Sequence, residues 1–493
     1  MTAAVRTGER TWLWPAAAAA GGALAALAMS APREWRVGMG LAVVAAVAAV
    51  AVASGPIGAA TVLIITMYFP RGAFLGGARI GPPDVAVLLV LGFWAAATLL
   101  RGRLRLARTP ADWAWACMAF AAAISFAAGA LRGGEVSPLV GIRELGQLLL
   151  FGGLYYWAAS ELSAPRNLRW AVTIFLAVSC AEAVYALAAQ FAPSVAALSS
   201  PSGMALSIPT GWQSHVGSYV QRATGTADSG FGAYMAGALV VAVALAGQVP
   251  RRSLPAMLAA VGVLVAGVVS SGTRGATLAA AIGVLLALVA SRRRWLMVLT
   301  LAAAVVMFVA LPRLAEASRI AYRVGKPVTS GTLQRIVGWR LGLAIAARHP
   351  AWGAGPGANA AAFPVLSRAP GFVVERVEGA FSAYVQALME TGPLGLLGLL
   401  GFVVIVPGAA FRAYRRARGS PSAAIGYACG CGMATVAATG LTGPLIQGGV
   451  GHLFFLLAGL TAAGARAAAL QGHPEGGPFR IARGAEVERH GTA

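Results

Sequence analysis

The stretch Ser270-Ser271-Gly272-Thr273-Arg274-Gly275-Ala276 sets one arginine among small residues, between two apolar runs. Serine, glycine and threonine permit a tight turn whose backbone N–H groups can meet an anion. A guanidinium at that turn presents a planar fork that matches phosphate oxygens. At headgroup depth it suits a diphosphate emerging from a bilayer, although an arginine snorkelling to ordinary lipid phosphate would leave the same signature. A second cluster, Arg222-Ala-Thr-Gly-Thr-Ala-Asp228, leads into another apolar run. Its Arg222 and Asp228 either meet substrate or close a salt bridge within their own loop.

A third cluster holds Arg335, Trp339 and Arg340. Residues four apart share a helix face, so Arg335 and Trp339 would offer a cation and a ring together to sugar and phosphate. The other reading is a solvated helix lying on the membrane surface. The segment continues through His349-Pro350 to Gly353, Gly355 and Gly357, a turn that is a weak candidate for a phosphate cradle. The fourth cluster is Phe381-Ser382, nine residues, then Gly392-Pro393-Leu394-Gly395. Inside the apolar runs, Arg143, Glu144, Glu182 and Glu390 are costly in lipid and should face protein. An Arg143–Glu182 bridge is the favoured structural pairing, while Glu390 is either a similar group or part of the site.

The elements that position these groups are dictated by composition. The chain has 493 residues, 58% of them hydrophobic and only 11% charged. A soluble domain carries about 45–50% apolar and about 25% charged residues, so a soluble globular protein is excluded. Continuous apolar runs, without the alternation of a barrel strand, predict an all-α polytopic membrane protein with about 12–14 transmembrane helices. Spans are expected near 12–29, 37–54, 56–70, 83–100, 113–131, 138–160, 168–192, 226–248, 253–270, 275–291, 295–312, 384–408, 424–444 and 449–466. Residues 1–470 then form one membrane domain with outward loops at 193–225 and 313–383, the latter containing short helices. Residues 471–493 are expected to be a disordered cytoplasmic tail.

The net charge is +22, and Lys326 is the single lysine. Short loops carrying Arg101 to Arg108, Arg166, Arg169, Arg251, Arg252, Arg292 to Arg294 and Arg412 to Arg418 fall on one side of the expected spans. That side is the cytoplasm, with both termini there. The long 313–383 loop nonetheless gathers cations, as expected if an anion docks on it. No basic soluble module is available to read nucleic acid. Cys117, Cys180, Cys429 and Cys431 lie in apolar runs without metal or redox spacing, and are expected to be small buried residues.

From about Arg222 to Gly451 the clusters resemble the O-antigen ligase/polymerase family of membrane glycosyltransferases. The resemblance rests on Arg222, Gly225 and Thr226, on Ser271, Arg274, Gly275 and Ala276, and on Arg335 with Trp339. His349, Pro350, Gly353 and Gly355 add to it. It implies a glycan carried on undecaprenyl diphosphate as donor, a glycan or lipid hydroxyl as acceptor, and work at the outer face of the inner membrane without metal or cofactor. It implies catalytic roles for Arg222, Arg274 and Arg335; Trp339, Arg340, His349, Asp228 and Ser382 are the expected substrate contacts. Partners are membrane lipids and a polysaccharide chain-length regulator.

One position departs from the family. Its ligases place histidine where this chain has Phe381, and phenylalanine takes no proton from an acceptor hydroxyl. Glu378, Glu375 or His349 could serve as base instead, or the chain could bind lipid-linked glycan without catalysis. A polymerase is the first reading and a ligase the second. A transporter or flippase would require internal repeats, and the two halves show no clear repeat.

Overall fold

The computed structural model describes residues 55–68, 82–100, 106–131, 136–191, 230–289, 330–363 and 379–471, apart from 272, 360, 362, 444, 446 and 447. It also describes Gly102 and two minimal antiparallel hairpins, Phe74–Leu75 with Ala78–Arg79 and Gln213–His215 with Ser218–Val220. These residues form an all-α polytopic assembly. In chain order the helices are α1 Pro56–Met67, α2 Pro82–Leu100, α3 Asp112–Leu131, α4 Pro138–Glu161, α5 Pro165–Phe191 and α6 Phe231–Ala246. They continue as α7 Leu254–Ser270, α8 Arg274–Val289, α9 Ser330–Arg348, α10 Ala383–Arg416, α11 Pro421–Thr439 and α12 Gly448–Gln471. Among the described residues, seven helices are long and apolar enough to cross a membrane. The expected spans at 12–29, 37–54 and 295–312 lie outside the described residues, and each of the others falls on a helix.

Burial sorts these helices into a centre and a rim. Nearly all of α6 and α11 is buried, and α12 carries buried Phe454 and Phe455 against Phe151 and Phe402. Rim helices expose large apolar side chains, as lipid-facing surfaces do. On α8 the exposed Leu278 (65%), Ile282 (46%) and Leu285 (56%) continue the row that Arg274 begins. Spacings of three and four keep them on one face.

α10 is the element that shapes the site. Ser382 caps it, its Oγ accepting from the Val385 N–H at 3.5 Å. Gly392, at φ 69°, then breaks the helix before Pro393. Proline has no N–H, so the carbonyl four residues back, on Met389, loses its helical partner. The Ala354 N–H supplies one at 2.8 Å, and the Gly355 N–H reaches the next carbonyl, Glu390 O, at 3.1 Å. Ser125 Oγ also donates to Glu390 O. Gly353, at φ 75°, makes this approach possible: a Cβ there would lie 2.6 Å from that same carbonyl oxygen.

The ends of the bundle differ chemically. Gln248, after α6, donates to Tyr414 Oη near the end of α10 at 2.7 Å. Ser420 meets Gln471 at the end of α12 at 2.9 Å. Arg251, Arg252, Arg415, Arg416 and Arg418 belong to these connections. The opposite end holds Arg274, α9, the 353–359 turn and the start of α10.

Two expectations are corrected. Arg143 pairs with its neighbour Glu144, not with Glu182. Both lie early in α4 and keep some exposure, so neither must reach across to α5 for a partner. Cys429 and Cys431 are buried, but Cys117 and Cys180 are only half-buried, because α3 and α5 turn part of their surface outward.

Candidate active site at one end of the bundle

α7 ends in a turn whose donors are partly satisfied locally. Ser271 Oγ donates to Val268 O at 2.7 Å and accepts from the Thr273 N–H at 3.3 Å. Arg274 then opens α8 with its side chain exposed.

Arg335 and Trp339 lie one turn apart on α9 and are both half-buried, as their spacing requires. Arg340 is exposed, rotated about 140° round the helix from Arg335. Burial holds the Arg335 guanidinium below the usual arginine range, and the nearby Arg274 guanidinium lowers it further. Two cations from separate segments of the chain thus stand within each other's field, where an anion between them would relieve both.

Trp339 ties α9 to the start of α10, its Nε1 donating to Phe381 O at 3.4 Å. Phe381 adopts φ 48°, a left-handed conformation that costs a side-chain-bearing residue about 1–3 kcal/mol. Ser382 is 6% exposed, with its hydroxyl engaged in the helix cap. His349 follows the end of α9, about 20 Å along the axis from Arg335. Arg222, Asp228, Glu375 and Glu378 lie outside the described residues.

The glycine turn does not cradle phosphate. Its N–H groups at 354 and 355 bind α10 carbonyls, and those of Gly357 and Asn359 bind Glu390 Oε1 at 3.2 and 3.0 Å. Beside Glu390 is a cavity of about 60 Å³, lined by Met118, Glu144, Leu148, Gln386 and Thr391.

Sequence reasoning missed Asn359, whose contacts with Glu390 and Ala380 are distant in sequence, and Gln386, which meets Glu390 one helical turn further along α10. It also missed His452, which is fully buried with Nε2 3.3 Å from Asp84 Oδ1. Ionisable residues inside apolar runs were the available signal for that pair.

Residues 259–400 match the family model described as O-antigen ligase. The matched region contains the Arg274 turn, the Arg335–Trp339 pair, the 353–357 turn and the Ser382–Gly395 spacing. It is narrower than the expected 222–451 region and leaves Arg222 outside. No curated protein matches the chain. The chain is therefore a multi-pass helical membrane protein with one region similar to the O-antigen ligase family model, and Arg274 and Arg335 both lie inside that region.

Proposed function

We propose that the protein is a glycosyltransferase of the bacterial plasma membrane, using glycan on undecaprenyl diphosphate at the outer face and acting as an O-antigen or exopolysaccharide polymerase. The observation that carries this reading is the convergence of Arg274 and Arg335 at the end of the bundle away from the arginine-rich connections.

The acceptor hydroxyl oxygen attacks the anomeric carbon with inversion. The bond from that carbon to the diphosphate oxygen breaks, and undecaprenyl diphosphate leaves with the electron pair. The guanidiniums of Arg274 and Arg335, joined by Arg222, offset the charge that grows on the leaving oxygen, and no metal takes part. Preorganised charge of this kind is commonly the largest catalytic contribution. Trp339 supplies a ring for the sugar, and Glu378, three residues before Phe381, accepts the hydroxyl proton. Arg340, Asp228 and Ser382 are assigned to outer substrate contacts. Phe381 favours polymerase over a histidine-dependent ligase, whereas the family's description favours a ligase. A chain-length regulator is the expected protein partner of the polymerase.

Arg274→Ala should abolish glycan extension in reconstituted membranes while the protein accumulates normally. Arg274→Lys should remain at least about tenfold impaired, because an ammonium lacks the two-pronged fork. Full activity in both variants would overturn the mechanism. In a deletion strain, single repeat units identify a polymerase, and long glycan retained on the lipid carrier identifies a ligase.

A further inference from the structure

Glu390 is a buried carboxylate with both oxygens bonded, and it lies outside the reacting groups assigned above. It is 9% exposed. Its Oε1 accepts from the Gly357 and Asn359 N–H groups at 3.2 and 3.0 Å, and its Oε2 from Gln386 Nε2 at 3.1 Å. All three donors are neutral groups of the protein itself, so the side chain is spent on tying the 357–359 turn to α10.

The grip extends further than the turn. Asn359 gives its N–H to Glu390 and uses its own Oδ1 to accept from the Ala380 N–H at 2.8 Å. Ala380 precedes Phe381, the residue in left-handed conformation, and Phe381 O receives Trp339 Nε1. Trp339 is one helical turn from Arg335. A continuous chain of bonds therefore runs from Glu390 through Asn359 and the 380–381 backbone to the helix that carries Arg335. Its first link is anchored at the kink of α10, where neither partner can shift freely.

We propose that Glu390 is a positioning residue: it fixes α9 against α10, and so sets where the Arg335 guanidinium stands. The catalytic consequence rests on the glycosyl-transfer reading above, but the positional claim does not. Hydrogen bonding is the working property, so glutamine should substitute. The carbonyl of the introduced glutamine can still receive both backbone donors. Rotation of the Gln386 amide lets its oxygen accept from the new NH₂ group.

The test uses the full chain with its four cysteines replaced and spin labels at two exposed positions, Leu343 on α9 and Leu397 on α10. The distance distribution between labels should be narrow in the parent and in Glu390→Gln, and broad in Glu390→Ala. Turnover should follow the same order, with Glu390→Gln within about fivefold of the parent and Glu390→Ala lower by about 100-fold, the loss expected for a misplaced group. Asn359→Ala keeps the backbone donor to Glu390 and removes only the relay to Ala380. It should also broaden the distribution, which keeps the claim testable if Glu390→Ala fails to fold. An unchanged distribution in Asn359→Ala, or in a folded Glu390→Ala, overturns the proposal. So does a Glu390→Gln protein with a narrow distribution and the activity of Glu390→Ala, because the carboxylate would then act by charge or proton transfer. Should the transfer reaction itself be misassigned, activity would be uninformative across the set, and the distances would still decide the positional claim.

Discussion

Arg335 is held half out of water with Arg274 close enough to oppose its charge. Like charges in a partly desolvated setting destabilise one another, and an anion bound beside them offsets that cost. Ligand binding to the folded state alone raises stability by about 2.7 kcal/mol at 100 times Kd. Inorganic pyrophosphate should therefore raise the thermal unfolding midpoint of the detergent-solubilised protein, and the gain should vanish in Arg335→Ala. An equal rise in that variant and in Arg274→Ala would show that the anion binds elsewhere. At this scale the sequence was informative about residue type and spacing. Arg335 and Trp339 share a face because four residues make about one turn, and Arg340 points away for the same reason. The fate of the N–H groups of Ala354, Gly355, Gly357 and Asn359 was not legible, because their acceptors lie more than a helix away along the chain.

Among the elements, α10 carries two signals readable in advance, a serine cap and a Gly-Pro break. The nine-residue gap between Ser382 and Gly392 is the helical segment between cap and kink. What sequence could not supply was the partner that stabilises the break, namely the turn that gives Met389 O a new donor. Gly392→Ala should test this coupling. A Cβ there would lie 2.6 Å from Ala351 O, on a residue with φ 69°. Strain of that backbone type costs about 1–3 kcal/mol before the clash is counted. Thermal unfolding should fall accordingly, and protease sensitivity should rise in the 349–359 segment. A variant as stable and protease-resistant as the parent would remove the kink's structural role.

For the whole molecule, apolar run length was enough to place the described helices other than α9, since each span must cross the same hydrocarbon thickness. Pairing between helices was harder: the buried Asp84–His452 contact joins α2 to α12, and no local pattern links them. The arginine-rich connections gather at one end and the candidate site at the other. In the orientation proposed from the charge bias of short loops, the arginine end faces the cytoplasm. A cysteine at exposed Leu343 should react with a membrane-impermeant maleimide in intact spheroplasts, and one at Arg418 only after permeabilisation. The reverse pattern would invert the molecule and move the site to the wrong compartment.

The exposed row of Leu278, Ile282 and Leu285 below Arg274 bears on kinetics. A substrate whose hydrocarbon tail rests along such a row never leaves the leaflet, so encounter is two-dimensional. Turnover should then track the mole fraction of donor among the lipids and fall on dilution with inert phospholipid, even when the amounts of enzyme and donor per millilitre are unchanged.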